Sequence, residues 1–385
     1  MQNPPLDTRE GSAVETLPDV RLLRTALELV EPQLYRVGEL FYARLFTERP
    51  ELRELFPLAM EVQRSRLLRA LVRIVTEIDR VTDLAPYLAQ LGRDHRKFDA
   101  RPEHYEAVGR ALVGAIAAYT DDRWTPELEE AWWAAYRYAA RVMVAAAEQA
   151  GDAPAYWHGE VVAHERRSRD IAVLRVRPDR PYPYRAGQYA TVETPRRPRL
   201  WRAYSMADAP RPDGLLEFHV KAVGAGWVSN TLVWRTVPGD VLRVGPPLGS
   251  MTAARTTGRD VLAVAGSSGL APLRAIIADL SRRDELRRIH LFFGARTQDE
   301  LYDGAALEEL RRRNPLLSVH VAVSHDPAYR GERGMISDVV ARYGSWSSHD
   351  VFVCGSPEMV GATLHRLSDL QVPPERIAYD AFETG

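Results

Sequence analysis

Leu88-Ala89-Gln90-Leu91-Gly92-Arg93-Asp94-His95-Arg96-Lys97-Phe98 is the stretch on which the first third of this 385-residue chain turns. Leu88, Leu91, His95 and Phe98 recur at helical spacing, so His95 shares a face with apolar side chains and points inward. An inward histidine is either a hydrogen-bonded core residue or a ligand, and its companions decide which. Around it the pattern is helical from about residue 18 to residue 151. Leu34, Val37, Phe41 and Leu45 form one stripe, Leu67, Leu71, Ile74 and Ile78 a second, and Trp132, Tyr136, Ala139 and Met143 a third. Leu112 and Ile116 mark a further helix. Pro50, Pro57, Pro86, Pro102 and Pro126 are placed at helix starts or corners, and no strand pattern interrupts.

The companions favour a ligand. Tyr42 follows Phe41 on an earlier helix, where its hydroxyl can reach a metal-bound molecule. Gln63 lies one turn before Leu67, with an amide able to donate, and Phe56 stands at a Phe-Pro corner where it can wedge against a flat ring. Iron in a porphyrin asks for one strong nitrogen ligand, and donors on the opposite side decide whether oxygen is held or activated. Cys354 is the only cysteine, which excludes an intrachain disulfide, a cysteine-ligated zinc or iron–sulfur centre and a thioether haem attachment. Any haem is therefore non-covalent.

Net charge is −1, with 45% hydrophobic and 27% charged residues, the profile of an ordinary globular chain with no bias towards nucleic acid or acidic membranes. Only Lys97 and Lys221 are lysines. The polar first twenty residues lack a signal-peptide core and no run reaches membrane-spanning length, so the expected location is the cytoplasm. After the linker Ala150-Gly151-Asp152-Ala153-Pro154 the period changes. Ile171 and Val173, then Leu216, Phe218 and Val220, alternate as in the strands of a small antiparallel barrel over residues 155–255. From Val261 strands and helices alternate, the pattern of a parallel sheet with crossover helices over residues 258–385.

Three motifs suit a flavin. Tyr189, at the end of Arg185-Ala186-Gly187-Gln188-Tyr189, can lie beside an isoalloxazine. Within Arg202-Ala203-Tyr204-Ser205, the arginine can clamp a pyrophosphate and the serine hydroxyl can meet the ring's N5 edge. Gly224 and Gly226, leading into Val228-Ser229, let backbone amides approach phosphate at a helix start. Val261 to Pro272 then reads as a strand, a turn (Gly266-Ser267-Ser268-Gly269) and a helix start (Leu270-Ala271-Pro272) suited to a second pyrophosphate. Cys354-Gly355-Ser356-Pro357 follows another buried strand; by itself Cys354 reads equally as a core thiol.

Taken in order, these motifs resemble the ferredoxin–NADP reductase superfamily, and residues 30–150 resemble the globin domain of bacterial flavohemoglobins. The resemblance rests on Phe41-Tyr42, Pro50 to Phe56, Gln63-Arg64, His95 with Phe98, and Pro102-Glu103 with Tyr105. It implies a multidomain chain: an all-α globin (18–150), an antiparallel β-barrel FAD domain (155–255) and an α/β parallel-sheet NAD(P) domain (258–385). It makes His95 the iron ligand, sets Tyr42 and Gln63 on the distal side, and puts Tyr105 and an acidic residue, Glu148 here, in the proximal hydrogen bonding. Phe382 becomes the ring that shields the flavin, and Arg296 and Cys354 join the nucleotide site. The sequence departs from the family at Asp94, Ala271, Gln149 and Asp380, where Lys, Thr, Glu and Glu are usual. The implied activity is nitric oxide dioxygenation, NO and O2 giving nitrate with electrons from NAD(P)H through FAD and haem b. Alternatives are an oxygen or peroxide reductase and an oxygen carrier or sensor with its own ferric-haem reductase. Expected partners are small molecules only, with no nucleic acid, membrane or obligatory protein partner. Asp326, after a strand, would accept from a free ribose hydroxyl and repel a 2′-phosphate, a preference for NADH.

Overall fold

The computed structural model describes residues 19–283 and 286–382. The chain divides into two compact units, Met1–Ala155 and Tyr156–Gly385. Most of the polar first twenty residues, and residue 18 where the first domain was expected to begin, lie outside the described residues.

The first unit is helical: α1 (Val20–Val30), α2 (Leu34–Glu48), α3 (Glu61–Glu77), α4 (Val81–His95), α5 (Pro102–Ala117) and α6 (Pro126–Gln149). Pro102 and Pro126 stand in the first turn of their helices, where a missing N–H costs nothing. Thr125 caps α6 by accepting from the Leu128 N–H at 3.2 Å. Pro50 opens a short 3-10 segment. Pro86 departs from expectation, lying inside α4 rather than at its start. An internal proline costs roughly 3 kcal/mol, but Leu84 and Leu88 of the same helix are fully buried, and two such side chains contribute roughly 1.5–3 kcal/mol each. Burial carries the helix through. At Gly92 a Cβ would collide with the backbone of Met143, so only glycine lets α4 and α6 approach this closely, and that contact sets the position of His95 at the end of α4.

The second unit holds two six-stranded sheets. The first comprises β1 (Trp157–Arg166), β2 (Ile171–Pro178), β3 (Tyr189–Glu193), β4 (Arg202–Ser205), β5 (Leu216–Lys221) and, after helix α7 (Trp227–Trp234), β6 (Val241–Leu248). The order is β4-β3-β6-β1-β2-β5, antiparallel throughout. A bridge between Met206 and Phe218 joins the two edges, closing the sheet as a barrel.

The second sheet is parallel: β7 (Val261–Gly266), α8 (Leu270–Leu280), β8 (Ile289–Ala295), α9 (Gly304–Arg313), β9 (Leu317–Val323), β10 (Glu332–Arg333), α10 (Ile336–Tyr343), β11 (Asp350–Gly355), α11 (Pro357–Asp369) and β12 (Ile377–Ala381). Its order is β10-β9-β8-β7-β11-β12. β7 and β11 are buried along their whole length, as strands covered on both faces must be. Among the described residues no helix is long and apolar enough to cross a membrane.

Candidate functional sites

In the helical unit, Tyr42 is buried on α2 and its ring meets Phe46 and Phe56 at centroid distances of 5.7 and 5.5 Å. Gln63, near the start of α3, lies close enough to the Tyr42 hydroxyl to act on its pKa. Burial drives the pKa of Tyr42 well above the usual tyrosine value, against the opposing effects of Gln63 and Arg64, so the hydroxyl keeps its proton at neutral pH. Phe56 is half-buried. His95 closes α4 with its Nδ1 2.7 Å from the Leu91 carbonyl and its ring 5.9 Å from that of Phe98. A carbonyl accepts only, so Nδ1 carries the proton and Nε2 keeps its lone pair. Burial lowers the His95 pKa, outweighing the Leu91 contact, and holds the imidazole neutral as a ligand must be.

Around His95 the structure sets a backbone carbonyl closest to Nδ1. Glu148 is exposed near the end of α6, and the Nδ1 proton goes to the Leu91 carbonyl. Tyr105 is half-buried with its pKa raised to about 12 by desolvation, and its own carbonyl accepts from the Tyr136 hydroxyl at 2.5 Å. Asp94, at the position of the usual lysine, is ion-paired at 2.5 Å with Lys97, whose side chain is buried.

In the barrel, antiparallel register sets Tyr189 opposite Ser205 and Thr191 opposite Ala203, so the first two flavin motifs share one patch of sheet. Arg202 Nη1 donates to the Trp201 carbonyl at 3.0 Å. Tyr204 is held protonated by burial and Ser205 is buried. Gly226 is the N-cap of α7 and no side chain caps it, which leaves first-turn amides for a phosphate. Ser229 is turned inward: its hydroxyl donates to the Gly226 carbonyl at 3.1 Å and accepts from Val223 N–H at 3.3 Å. Asn230, which the motif reading passed over, fixes the loop by donating to the carbonyls of Val223, Gly224 and Gly226 at 2.8–3.2 Å. Val228 is buried beneath the turn. A cavity of about 600 Å³ opens beside it, lined by Gly224, Ala225, Trp227, Asn230 and Arg197 among others.

The nucleotide motifs meet at the carboxyl ends of the parallel strands, the place where such sheets bind ligands. Gly266 ends β7, Ser267 takes a left-handed φ of 51°, and Ser267–Gly269 form one 3-10 turn into α8, whose start has no side-chain cap. Gly269 lies so close to Cys354 at the end of β11 that a Cβ would strike its carbonyl. Leu270, Ala271 and Pro272 are buried under the turn, and Ser268 is half-buried. Cys354 is fully buried, and desolvation raises its pKa and keeps the thiol neutral. Gly355 accepts from the Phe382 N–H at 3.0 Å, bringing the terminal aromatic to this edge. Arg296, past β8, is exposed beside Glu300 at 3.4 Å.

Three family models match in this same order: Globin over residues 39–143, Oxidoreductase FAD-binding domain over 158–252 and Oxidoreductase NAD-binding domain over 263–365. The Flavohemoprotein of Bordetella parapertussis is 29% identical, and the match covers 96% of this chain and 98% of that one. The reductase component of the naphthalene 1,2-dioxygenase system of Pseudomonas putida is 35% identical over 229 residues, covering 59% of this chain and 69% of its own. A flavohemoglobin crystal structure from Malassezia yamatoensis, with FAD and heme bound, superposes with a TM-score of 0.80 at 18% identity over 96% of this chain and all of that one. These define a globin fused to an FAD- and NAD-binding oxidoreductase. Over nearly its whole length the chain is similar to flavohemoglobins, and haem, FAD and NAD(P) are its cofactors.

The residues present fit those groups. His95 offers one unblocked nitrogen. A porphyrin asks the protein for one strong nitrogen ligand, which that nitrogen can be. The uncapped starts of α7 and α8 suit the two pyrophosphates.

Proposed function

We propose that the chain is a nitric oxide dioxygenase, oxidising NO with O2 to nitrate at the expense of NADH in the cytoplasm. Its three domains would span residues 18–150, 155–255 and 258–385, and it would need no separate protein partner. When bound, haem supplies the iron that handles oxygen, and FAD turns the two-electron hydride of the nicotinamide into the single electrons iron accepts. His95 holds the iron through Nε2, with its ring oriented by the Leu91 carbonyl. Arg202 and the start of α7 hold the FAD pyrophosphate, Tyr189, Tyr204 and Ser205 face the isoalloxazine, and Phe382 covers it. The turn from Gly266 to Pro272, with Arg296, Cys354 and Gly355, holds the nicotinamide nucleotide. Asp326, whose carboxylate is fixed by the Ala328 and Gln298 N–H groups at 3.0 and 3.4 Å, repels a 2′-phosphate and favours NADH.

The observation that carries this reading is the Tyr42–Gln63 pair. Buried between Phe46 and Phe56 with Gln63 beside it, the Tyr42 hydroxyl keeps its proton and would offer it to a ligand that gains negative charge during reaction. Such a fixed donor strengthens as the charge develops. Its loss costs about 1.5–3 kcal/mol, or roughly ten- to hundredfold in rate. Tyr42→Phe is therefore expected to slow NO consumption and speed oxygen release by that factor, with flavin reduction by NADH unchanged. Equal oxygen release from both proteins in stopped flow would reject this role and move the reading to a carrier or sensor.

A further inference from the structure

β5 is polar on one face. Glu217, His219 and Lys221 alternate along it, and a free strand would give such residues to water. Here each grips the nucleotide lobe. Glu217 is ion-paired to Arg274 of α8. The Arg274 guanidinium also donates to Asp303 at 2.9 Å and to the Ala207 carbonyl at 2.7 Å, two residues past Ser205. His219 Nδ1 lies 2.8 Å from the Tyr302 hydroxyl and its Nε2 3.3 Å from Glu217. Lys221 Nζ donates to Ser267 Oγ at 3.0 Å, within the nucleotide turn, and lies 3.4 Å from Glu300.

The groups are out of water: Glu217, His219, Arg274, Asp303 and Tyr302 are exposed by 4, 3, 8, 1 and 7%. A carboxylate accepts only, so His219 donates Nε2–H to Glu217 and Nδ1 accepts from Tyr302. Burial keeps His219 neutral. For Glu217, burial acts to raise the pKa, but the His219 hydrogen bond and the Arg274 charge outweigh it and hold the group ionised. The chain of donors thus has one direction, from Tyr302 through His219 to a carboxylate clamped by Arg274.

Buried ion pairs seldom stabilise more than apolar side chains of the same size. What a planar, forked guanidinium adds is a fixed orientation. We propose that the polar face of β5, with Arg274 as its central positioning residue, is a joint that sets how the nucleotide turn and Cys354 are presented to the flavin side of the barrel. The inference rests on the placement of FAD at β3–β4 and the nucleotide at residues 266–272, and not on the oxidant used by the globin. Reacting groups tolerate little displacement: about 1 Å can cost about a hundredfold in rate.

The test uses the full-length holoprotein with Arg274→Lys, which keeps the charge and loses the fork. Because two carboxylates then rest on a poorer partner, Glu217→Gln is the second variant; it keeps hydrogen bonding and removes one charge. Flavin reduction at saturating NADH, NAD+ affinity of the reduced protein, the long-wavelength charge-transfer absorbance of that complex and FAD content are measured together. The joint predicts reduction slowed about tenfold or more and a weakened charge-transfer band, with NAD+ affinity within about twofold and FAD content unchanged. An unchanged saturating rate in either folded variant overturns it. Loss of NAD+ affinity with the saturating rate intact also overturns it, and makes the network part of nucleotide binding. A fall in rate that follows FAD loss instead overturns both the joint and the flavin placement.

Discussion

The helical unit and the reductase unit treat buried charge in opposite ways. Among described residues of the first, the buried polar side chains are Lys97 and Thr120. In the second they include Glu193, Glu217, His219, Arg274, Arg287, Glu300, Asp303 and Asp350. On the proposed reading the first presents one neutral nitrogen and a pair of donors to a flat ring, for which an apolar core with a few polar atoms suffices. The second must hold two nucleotides face to face, and backbone turns and charged clamps fix that geometry better than oily contacts can. One site therefore hangs on single residues; the other is spread over many.

Breaking the concentrated site should have the largest effect. His95→Ala removes the sole expected iron ligand, and the account expects a folded, flavin-containing protein without a normal haem Soret band. An unchanged five-coordinate histidine–haem spectrum would contradict it. In the distributed site, one clamp is worth less. Arg202→Ala is expected to weaken FAD by about one to two decades, from the loss of about 1.5–3 kcal/mol of charge-assisted hydrogen bonding, while haem content stays normal. Full FAD occupancy at micromolar protein would show that Arg202 does not hold the pyrophosphate.

The smallest effect concerns acid. His219, His290, His320 and His349 in the reductase unit all have pKa values lowered, burial being the largest cause in each. In the helical unit His95 alone is shown with a lowered value. A histidine whose folded pKa lies below its unfolded value of about 6.5 binds fewer protons when folded. Its contribution to stability is complete above that pH and is lost as pH falls through the window towards the folded pKa. Calorimetry between about pH 7.5 and pH 5 should show the reductase transition falling by several degrees and the globin transition by less. Parallel shifts of the two would remove this distinction.

Much of this was legible in the chain, and the gaps have physical causes. His95 was visible because an apolar stripe is interrupted by one imidazole, and the sheets because strand and helix periods change cleanly at residues 155 and 261. Leu91 as the partner of His95 Nδ1 was not, since every residue has a carbonyl and none is marked. The family resemblance set Glu148 near a helix end, where one residue turns a side chain by about 100°, and it faces solvent. Pro86 was read as a start because local propensity favours that, and tertiary burial of Leu84 and Leu88 overrode it. The β5 joint was hidden most thoroughly. Glu217, His219 and Lys221 alternate with Leu216, Phe218 and Val220 as on any half-exposed strand, and only the fold shows that the polar face is covered.

The most direct test of the central claim is a product balance. Full-length protein loaded with haem and FAD is supplied with NADH, oxygen and a measured amount of NO, and nitrate, NO and NADH are followed together. The account predicts nitrate equal to the NO consumed, only while oxygen is present, with Tyr42→Phe slower by roughly ten- to hundredfold. Oxidation of NADH at an undiminished rate with no nitrate formed would contradict it.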